Sequence, residues 1–135
     1  MDPFSLTVGT IGLIGAVKAC LKLAGKVVGP SKLGKAELDA TNSTLFEALC
    51  ILKSFKTFLK FHADDEDRLQ TLAHLGPVVE RCQEALQSIK AFMQGSSKFE
   101  KMWKGASFDK SLKSAIKAVE ESSKLFKLAL TVDQQ

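Results

Sequence analysis

Hydrophobic residues recur along this chain at spacings of three and four, the period of one face of an α-helix. In the second quarter of the chain, leucines repeat every seven residues, at Leu38, Leu45, Leu52 and Leu59. Further along, apolar residues alternate steps of three and four, at Leu72, Leu75, Val79, Cys82, Leu86, Ile89 and Met93. Apolar stripes of this kind pack against one another in helical bundles.

Helix breakers divide the pattern into four main helices. Asp2 and Pro3 suit a helix start, and Gly29-Pro30 suits a helix end. The acidic run 64–67 favours a later helix start, because negative charge is stabilised at the positive end of the helix dipole. Pro77 is expected to kink or restart the helix that follows. The predicted helices are about 3–28, 35–61, 66–94 and 107–131.

The predicted fold is therefore an all-α antiparallel bundle, with one domain spanning residues 1–135 and room for a short extra helix near the 96–106 connection. A chain of 135 residues with 45% hydrophobic and 25% charged residues can build one core. The cysteines Cys20, Cys50 and Cys82 fall inside apolar helical patterns without metal-binding spacing. We expect buried thiols in a reducing compartment.

Catalytic and nucleic-acid functions are not favoured. No phosphate-binding loop or hydrolase motif occurs, and His62 and His74 have no cysteine or serine at a spacing typical of a dyad. We therefore expect no enzyme activity, no cofactor and no metal site. The net charge of +4 comes mostly from lysine, and arginine, which base readout favours, is confined to Arg68 and Arg81. The lysine-rich C-terminal section indicates a solvated helix face or attraction to anionic lipid, rather than nucleic-acid binding.

The first helix is unusual. Pro3 to Val17 carries no charge, but the basic flank of an export signal is missing, so export is not expected. This stretch covers roughly 22 Å, too short for an ordinary span, although the reach grows to about 30 Å if Lys18 is accommodated. The segment is interpreted as a conditional membrane segment.

Its glycines, Gly9, Gly12, Gly15 and Gly25, each cost a helix about 0.5–1 kcal/mol relative to alanine. One explanation is close helix packing through the small pairs Gly12/Ala16 and Gly15/Ala19. The other is a helix made to leave the bundle. The predicted core face holds Leu6, Leu13, Val17, Cys20, Ala24 and Val27. The opposite face holds Phe4, Ile11 and Ile14, expected to be exposed, followed by Lys18, Lys22 and Lys26.

The opening Met1-Asp2-Pro3-Phe4-Ser5-Leu6, running into Ile11-Gly12-Leu13-Ile14-Gly15-Ala16, resembles the start of HeLo-like domains. These domains stand at the N-termini of fungal NOD-like (STAND) receptors and related cell-death proteins. The stretch 123–130, Ser-Lys-Leu-Phe-Lys-Leu-Ala-Leu, is similar to the last helix of that family. The connection around Trp103 departs from the family pattern because it lacks an expected proline.

The resemblance implies an executioner domain that oligomerises under a sensor module, moves from the cytoplasm to the plasma membrane and permeabilises it through its first helix. It implies lipid-inserting roles for Phe4, Leu6, Val8, Ile11, Leu13 and Ile14. Lys18, Lys22 and Lys26 are expected to meet anionic headgroups. The expected partners are anionic lipids, further copies of the chain and the sensor. The alternative is a soluble oligomerisation or adaptor module that recruits a partner protein through the same helix.

Overall fold

The computed structural model describes residues 3–26, 35–94 and 106–133, and the described parts form an all-α helical bundle, as predicted. They contain no strand. The elements are α1 (Pro3–Lys26), α2 (Lys35–Phe61), α3 (Glu66–Thr71), a 3₁₀ turn (Ala73–Leu75), α4 (Gly76–Met93) and α5 (Ala106–Asp133). The predicted end of the first helix at 27–28 and the possible helix near 96–106 fall outside the described residues, apart from Ala106 at the start of α5.

The helix predicted for 66–94 is interrupted in the structure. It begins as expected, because the Asp65 side chain accepts a hydrogen bond from the backbone N–H of Arg68 at 3.1 Å and so caps α3. After Thr71 the chain passes through the 3₁₀ turn and restarts as α4, with Pro77 in the first turn. Proline is tolerated there because its missing N–H would have no partner within the helix. The expected restart at Pro77 is confirmed.

The four long helices form a ring in which α1 packs against α2 and α4, and α5 packs against the same two helices. The neighbours α1 and α4 run parallel: Gly9 approaches Val79, and Cys20 approaches Leu86 further along both helices. By contrast, α4 and α5 run antiparallel. Cys82 in the first half of α4 is hydrogen-bonded to Ser122 in the second half of α5, whereas Phe92 near the end of α4 lines the same groove as Ser111 near the start of α5. The predicted antiparallel bundle therefore contains parallel as well as antiparallel neighbours.

The core runs through the centre of this ring. The rings of Phe55 on α2 and Phe126 on α5 meet with centroids 5.1 Å apart. Most members of the predicted stripes are buried, namely Leu45, Leu52, Leu59, Leu72, Leu75, Val79, Cys82, Leu86 and Ile89, while Met93 is half-buried. The hydrophobic period thus identified the core faces of α2 and α4 correctly.

One of the predicted buried thiols is not buried. Cys20 and Cys82 lie in the core, but Cys50 is exposed on α2. Cys50 stands two residues from the buried Leu52, which places it about 200° round the helix and therefore on the solvent side.

Candidate functional site

The residues of α1 that were predicted to face the core are buried wherever the structure describes their side chains. Leu6, Leu13, Val17 and Cys20 have no exposed surface, and Ala24 is almost fully buried. Leu6, Leu13, Val17 and Cys20 contribute to the same core as the buried residues of α2 and α4. In this structure α1 is therefore an integral part of the bundle.

The outer face of α1 carries a line of side chains that we call the outer stripe: Phe4, Val8, Ile11, Gly15, Lys18 and Lys22. Spacings of four and three place them along one side of the helix. Phe4, Val8 and Ile11 are 78%, 53% and 48% exposed, respectively. The stripe is apolar through its first three turns and then basic. Lys18 and Lys22 are exposed, and neither forms an ion pair with another described residue.

Ile14 does not belong to the outer stripe, contrary to the prediction that it would be exposed. It is only 8% exposed. Because α1 packs against two helices, its buried arc is wider than a single seam and extends round to Ile14. Val8, which precedes Ile11 on the same line, takes the exposed position instead.

The predicted lipid-inserting residues thus fall into two groups. Phe4, Val8 and Ile11 face outward, whereas Leu6, Leu13 and Ile14 are committed to the core. Of the lysines expected at the headgroups, Lys18 and Lys22 extend the outer stripe, and the side chain of Lys26 falls outside the described residues.

The glycines of α1 have unlike surroundings. A Cβ atom at Gly9 would lie 2.8 Å from Cγ1 of Val79, which is too close for any real contact. At Gly12 the nearest atom would be Nε2 of Gln83 at 3.7 Å, an ordinary contact, and at Gly15 nothing lies within 4 Å. Close packing against another helix therefore occurs at Gly9. It does not occur through the predicted pairs Gly12/Ala16 and Gly15/Ala19, because Gly12 and Gly15 are exposed.

Two polar groups on the inner face of α1 are satisfied in different ways. The buried hydroxyl of Thr10 donates to the carbonyl of Leu6 at 2.8 Å, inside α1 itself. The thiol of Cys20 donates to the carbonyl of Leu86 on α4 at 3.5 Å, a weak bond.

Burial raises the pKa of Cys20 to about 11, and Lys90 opposes that rise. Burial likewise raises the pKa of Cys82 to about 11, opposed by its hydrogen bond with Ser122. Both thiols are therefore unreactive while the bundle is closed.

The segment Phe4–Ala24 of α1 is long and apolar enough to cross a membrane, judged by length and composition, and it is the one such helix among the described residues. Its 21 residues reach about 31 Å, the thickness of a hydrocarbon core. The buried helix of a soluble protein can meet the same criterion. Large apolar side chains are also exposed on α2, at Phe46 and Phe61, and on α5, at Leu125 and Leu128. The feature of α1 is that its exposed apolar side chains align with its lysines in one outer stripe.

Other candidate sites are weaker. The ring of His62 meets the ring of Phe58 at a tilt and that of Phe61 edge-on, and Nη1 of Arg68 lies 3.3 Å from its Nδ1. His74 is hydrogen-bonded to the Thr71 carbonyl at 2.8 Å. Among the described residues no group of three metal-binding side chains converges. A groove of about 310 Å³ lies between α4 and α5, with an alanine- and leucine-lined floor and polar edges.

Comparisons with known proteins found no matching family model, no matching curated protein and no matching solved structure. The similarity to HeLo-like domains therefore rests on the residues at the two ends of the chain.

Proposed function

We propose that this domain is a membrane-permeabilising executioner of a fungal innate immune system, and that α1 is the element that enters the bilayer. The observation that carries the proposal is the outer stripe. If α1 served only to pack in the bundle, polar residues would be expected at the exposed positions that Phe4, Val8 and Ile11 occupy. Apolar side chains held in water at these positions favour a second, apolar environment.

The physical chemistry of α1 supports insertion. Fully burying a side chain such as Phe, Val or Ile is worth about 1.5–3 kcal/mol, so transfer of the exposed apolar part of the outer stripe into lipid is favourable. Lys18 and Lys22 follow at the end of the stripe, where their long stems can place the charges at the headgroups. The Thr10 hydroxyl already has its acceptor within α1, so it can enter lipid without losing that bond.

In this proposal, a sensor module brings several copies together, and the domain relocates from the cytoplasm to the plasma membrane. There α1 exchanges its contacts with α2 and α4 for contacts with lipid. Anionic lipids are the preferred partners because α1 carries the exposed lysines Lys18 and Lys22.

The second candidate is a soluble oligomerisation or adaptor module. It is favoured by the α4–α5 groove, a concave surface at the lower end of the size range of binding pockets. An adaptor would use exposed apolar side chains to bind a protein and would leave vesicles intact.

Leakage of dye from anionic vesicles tests the first proposal against the second. Ile11→Glu should suppress leakage, since a carboxylate near the bilayer centre costs about 2.5–3.5 kcal/mol on insertion scales. Leu128→Glu is the matched control, because Leu128 is similarly exposed, at 59%, but lies on α5. Equal leakage from both variants would contradict a special role for α1, and an inert parent protein would favour the adaptor.

A further inference from the structure

Among Gly9, Gly12 and Gly15, the glycines of α1 whose surroundings the structure describes, Gly9 makes the closest approach to another helix, at Val79 of α4. An alanine Cβ at position 9 would lie 2.8 Å from Cγ1 of Val79. Val79 is only 1% exposed, and a valine in a helix has one strongly preferred rotamer. Its methyl group therefore cannot swing aside, and α1 can lie this close to α4 only because residue 9 has no side chain.

This contact lies in the half of α1 that carries the apolar part of the outer stripe. Gly9 stands between Val8 and Ile11, so any change in spacing at Val79 acts directly on the segment that is proposed to insert. Gly12 and Gly15 differ, because a methyl group at either would meet ordinary contact distances or open space. Alanine substitutions at these three glycines can therefore distinguish the effect of packing against α4 from the general effect of adding a methyl group to the helix.

We propose that the Gly9–Val79 contact determines how readily α1 separates from the bundle, with Gly9 as the positioning residue. This inference rests on the proposed function, in which α1 leaves α2 and α4 to enter lipid. Close packing here holds α1 against α4, while the Thr10 bond lies within α1 and the Cys20 thiol adds only a weak bond to α4. A methyl group at position 9 would force the two helices apart without adding charge or removing a polar contact.

The test measures alkylation of Cys20 in the absence of lipid, in a Cys50→Ser background that removes the exposed thiol. Peptide mapping separates the alkylation of Cys20 from that of Cys82, which is also present. Cys20 is fully buried in the closed bundle, so its reaction rate reports separation of α1. Gly9→Ala should raise that rate about tenfold, the size expected when overpacking by one methyl group shifts an opening equilibrium. Gly15→Ala should not raise it.

Rescue distinguishes this contact from a general loss of stability. With Val79→Ala added to Gly9→Ala, the nearest atom to the new methyl group is Cβ of residue 79 at 3.9 Å, an ordinary contact. Val79→Ala alone is the reference, because it removes buried methyl groups by itself, and Gly9→Ala should not raise the rate further in that background. If Gly9→Ala alone fails to fold, recovery of the folded double variant gives the same support. A rise caused by Gly9→Ala that is as large in the Val79→Ala background as in the parent, or a double variant that is equally unfolded, would overturn the inference.

Val119→Ala is the control for instability elsewhere, because Val119 is fully buried on α5, diagonally across from α1. An equal rise in Cys20 reactivity for an equal fall in Tm would also overturn the inference. The same variants are then added to anionic vesicles, where Gly9→Ala should lower the lipid concentration that gives half-maximal leakage. If the thiol results hold but neither parent nor variant causes leakage, the proposed function fails while the role of Gly9 in holding α1 stands.

Discussion

Ile11 is about half exposed, whereas Leu13, two residues further along α1, has no exposed surface. The two side chains are chemically alike, so the difference arises from their direction. About 200° of rotation separates positions two apart on a helix. Fold and proposed function therefore depend on neighbouring residues of the same chemical type.

Charge substitutions at these two positions should differ greatly in their effect on stability. Leu13→Glu would place an unpaired carboxylate in the core and should cost roughly 4 kcal/mol or more, lowering Tm by about 10 °C or more. Ile11→Glu should change the stability by no more than about 0.5 kcal/mol, because the carboxylate stays in water. Thermal unfolding followed by circular dichroism measures both, and a collapse of the Ile11 variant would contradict the assignment of the outer stripe.

The buried thiols predict a stability loss at alkaline pH. Burial raises the pKa of Cys20 from 9.0 to about 11, so the thiolate forms more easily in the unfolded chain than in the folded one. The contribution of the protonated Cys20 thiol to the free energy of unfolding is fully present below pH 9 and is lost as the pH rises toward 11. In denaturant unfolding, the fall in the free energy of unfolding between pH 8 and pH 10.5 should be smaller for Cys20→Ala than for the parent. Identical pH dependence would mean that burial does not hold this thiol in its protonated form.

At the scale of whole elements, α1 changes character along its length. Its outer stripe is apolar from Phe4 to Gly15 and basic at Lys18 and Lys22. This gradient resembles that of helices that lie in or enter a bilayer with their charges at the surface. The net charge of the chain is +4, so charge reversal must be compared with an equal reversal elsewhere.

Replacing Lys18 and Lys22 by glutamate should weaken binding to anionic vesicles. Each lysine near the surface contributes about 1 kcal/mol, and the effect of the parent lysines should fade with added salt. Vesicle sedimentation across a salt series measures it. Lys117→Glu with Lys127→Glu, both exposed on α5, produces the same change in net charge. If this control loses as much binding, the attraction belongs to the whole domain and not to α1.

Most of the elements could be predicted from the sequence because helix period, caps and proline act locally. Pro77 marked the start of α4, and Leu45, Leu52 and Leu59 marked the inner face of α2. The exposure of Ile14 was predicted wrongly because periodicity does not tell how many neighbours a helix has. The parallel packing of α1 with α4 also escaped prediction, since it depends on how the chain from α2 to α4 crosses the bundle.

At the scale of the whole molecule, the proposed activity requires a bundle that can release one of its own helices. The core is shared among α1, α2, α4 and α5, so departure of α1 would uncover the inner faces of its two neighbours. Contacts between α4 and α5 and between α2 and α5 do not involve α1 and can persist. An intact bundle that merely docks on lipid would keep every core residue covered.

A single buried thiol can distinguish release from docking. Cys82 lies on α4 with 1% exposure and bonds to Ser122 on α5, so it stays with the bundle when α1 leaves. In a variant with Cys20→Ala and Cys50→Ser, a water-soluble maleimide should label Cys82 slowly in solution and much faster after anionic vesicles are added. Neutral vesicles give the baseline, because they lack the charge that recruits the outer stripe. Labelling should rise together with dye leakage if the departure of α1 opens the core around Cys82. Leakage with Cys82 still protected would mean that the membrane is permeabilised while this part of the core stays closed.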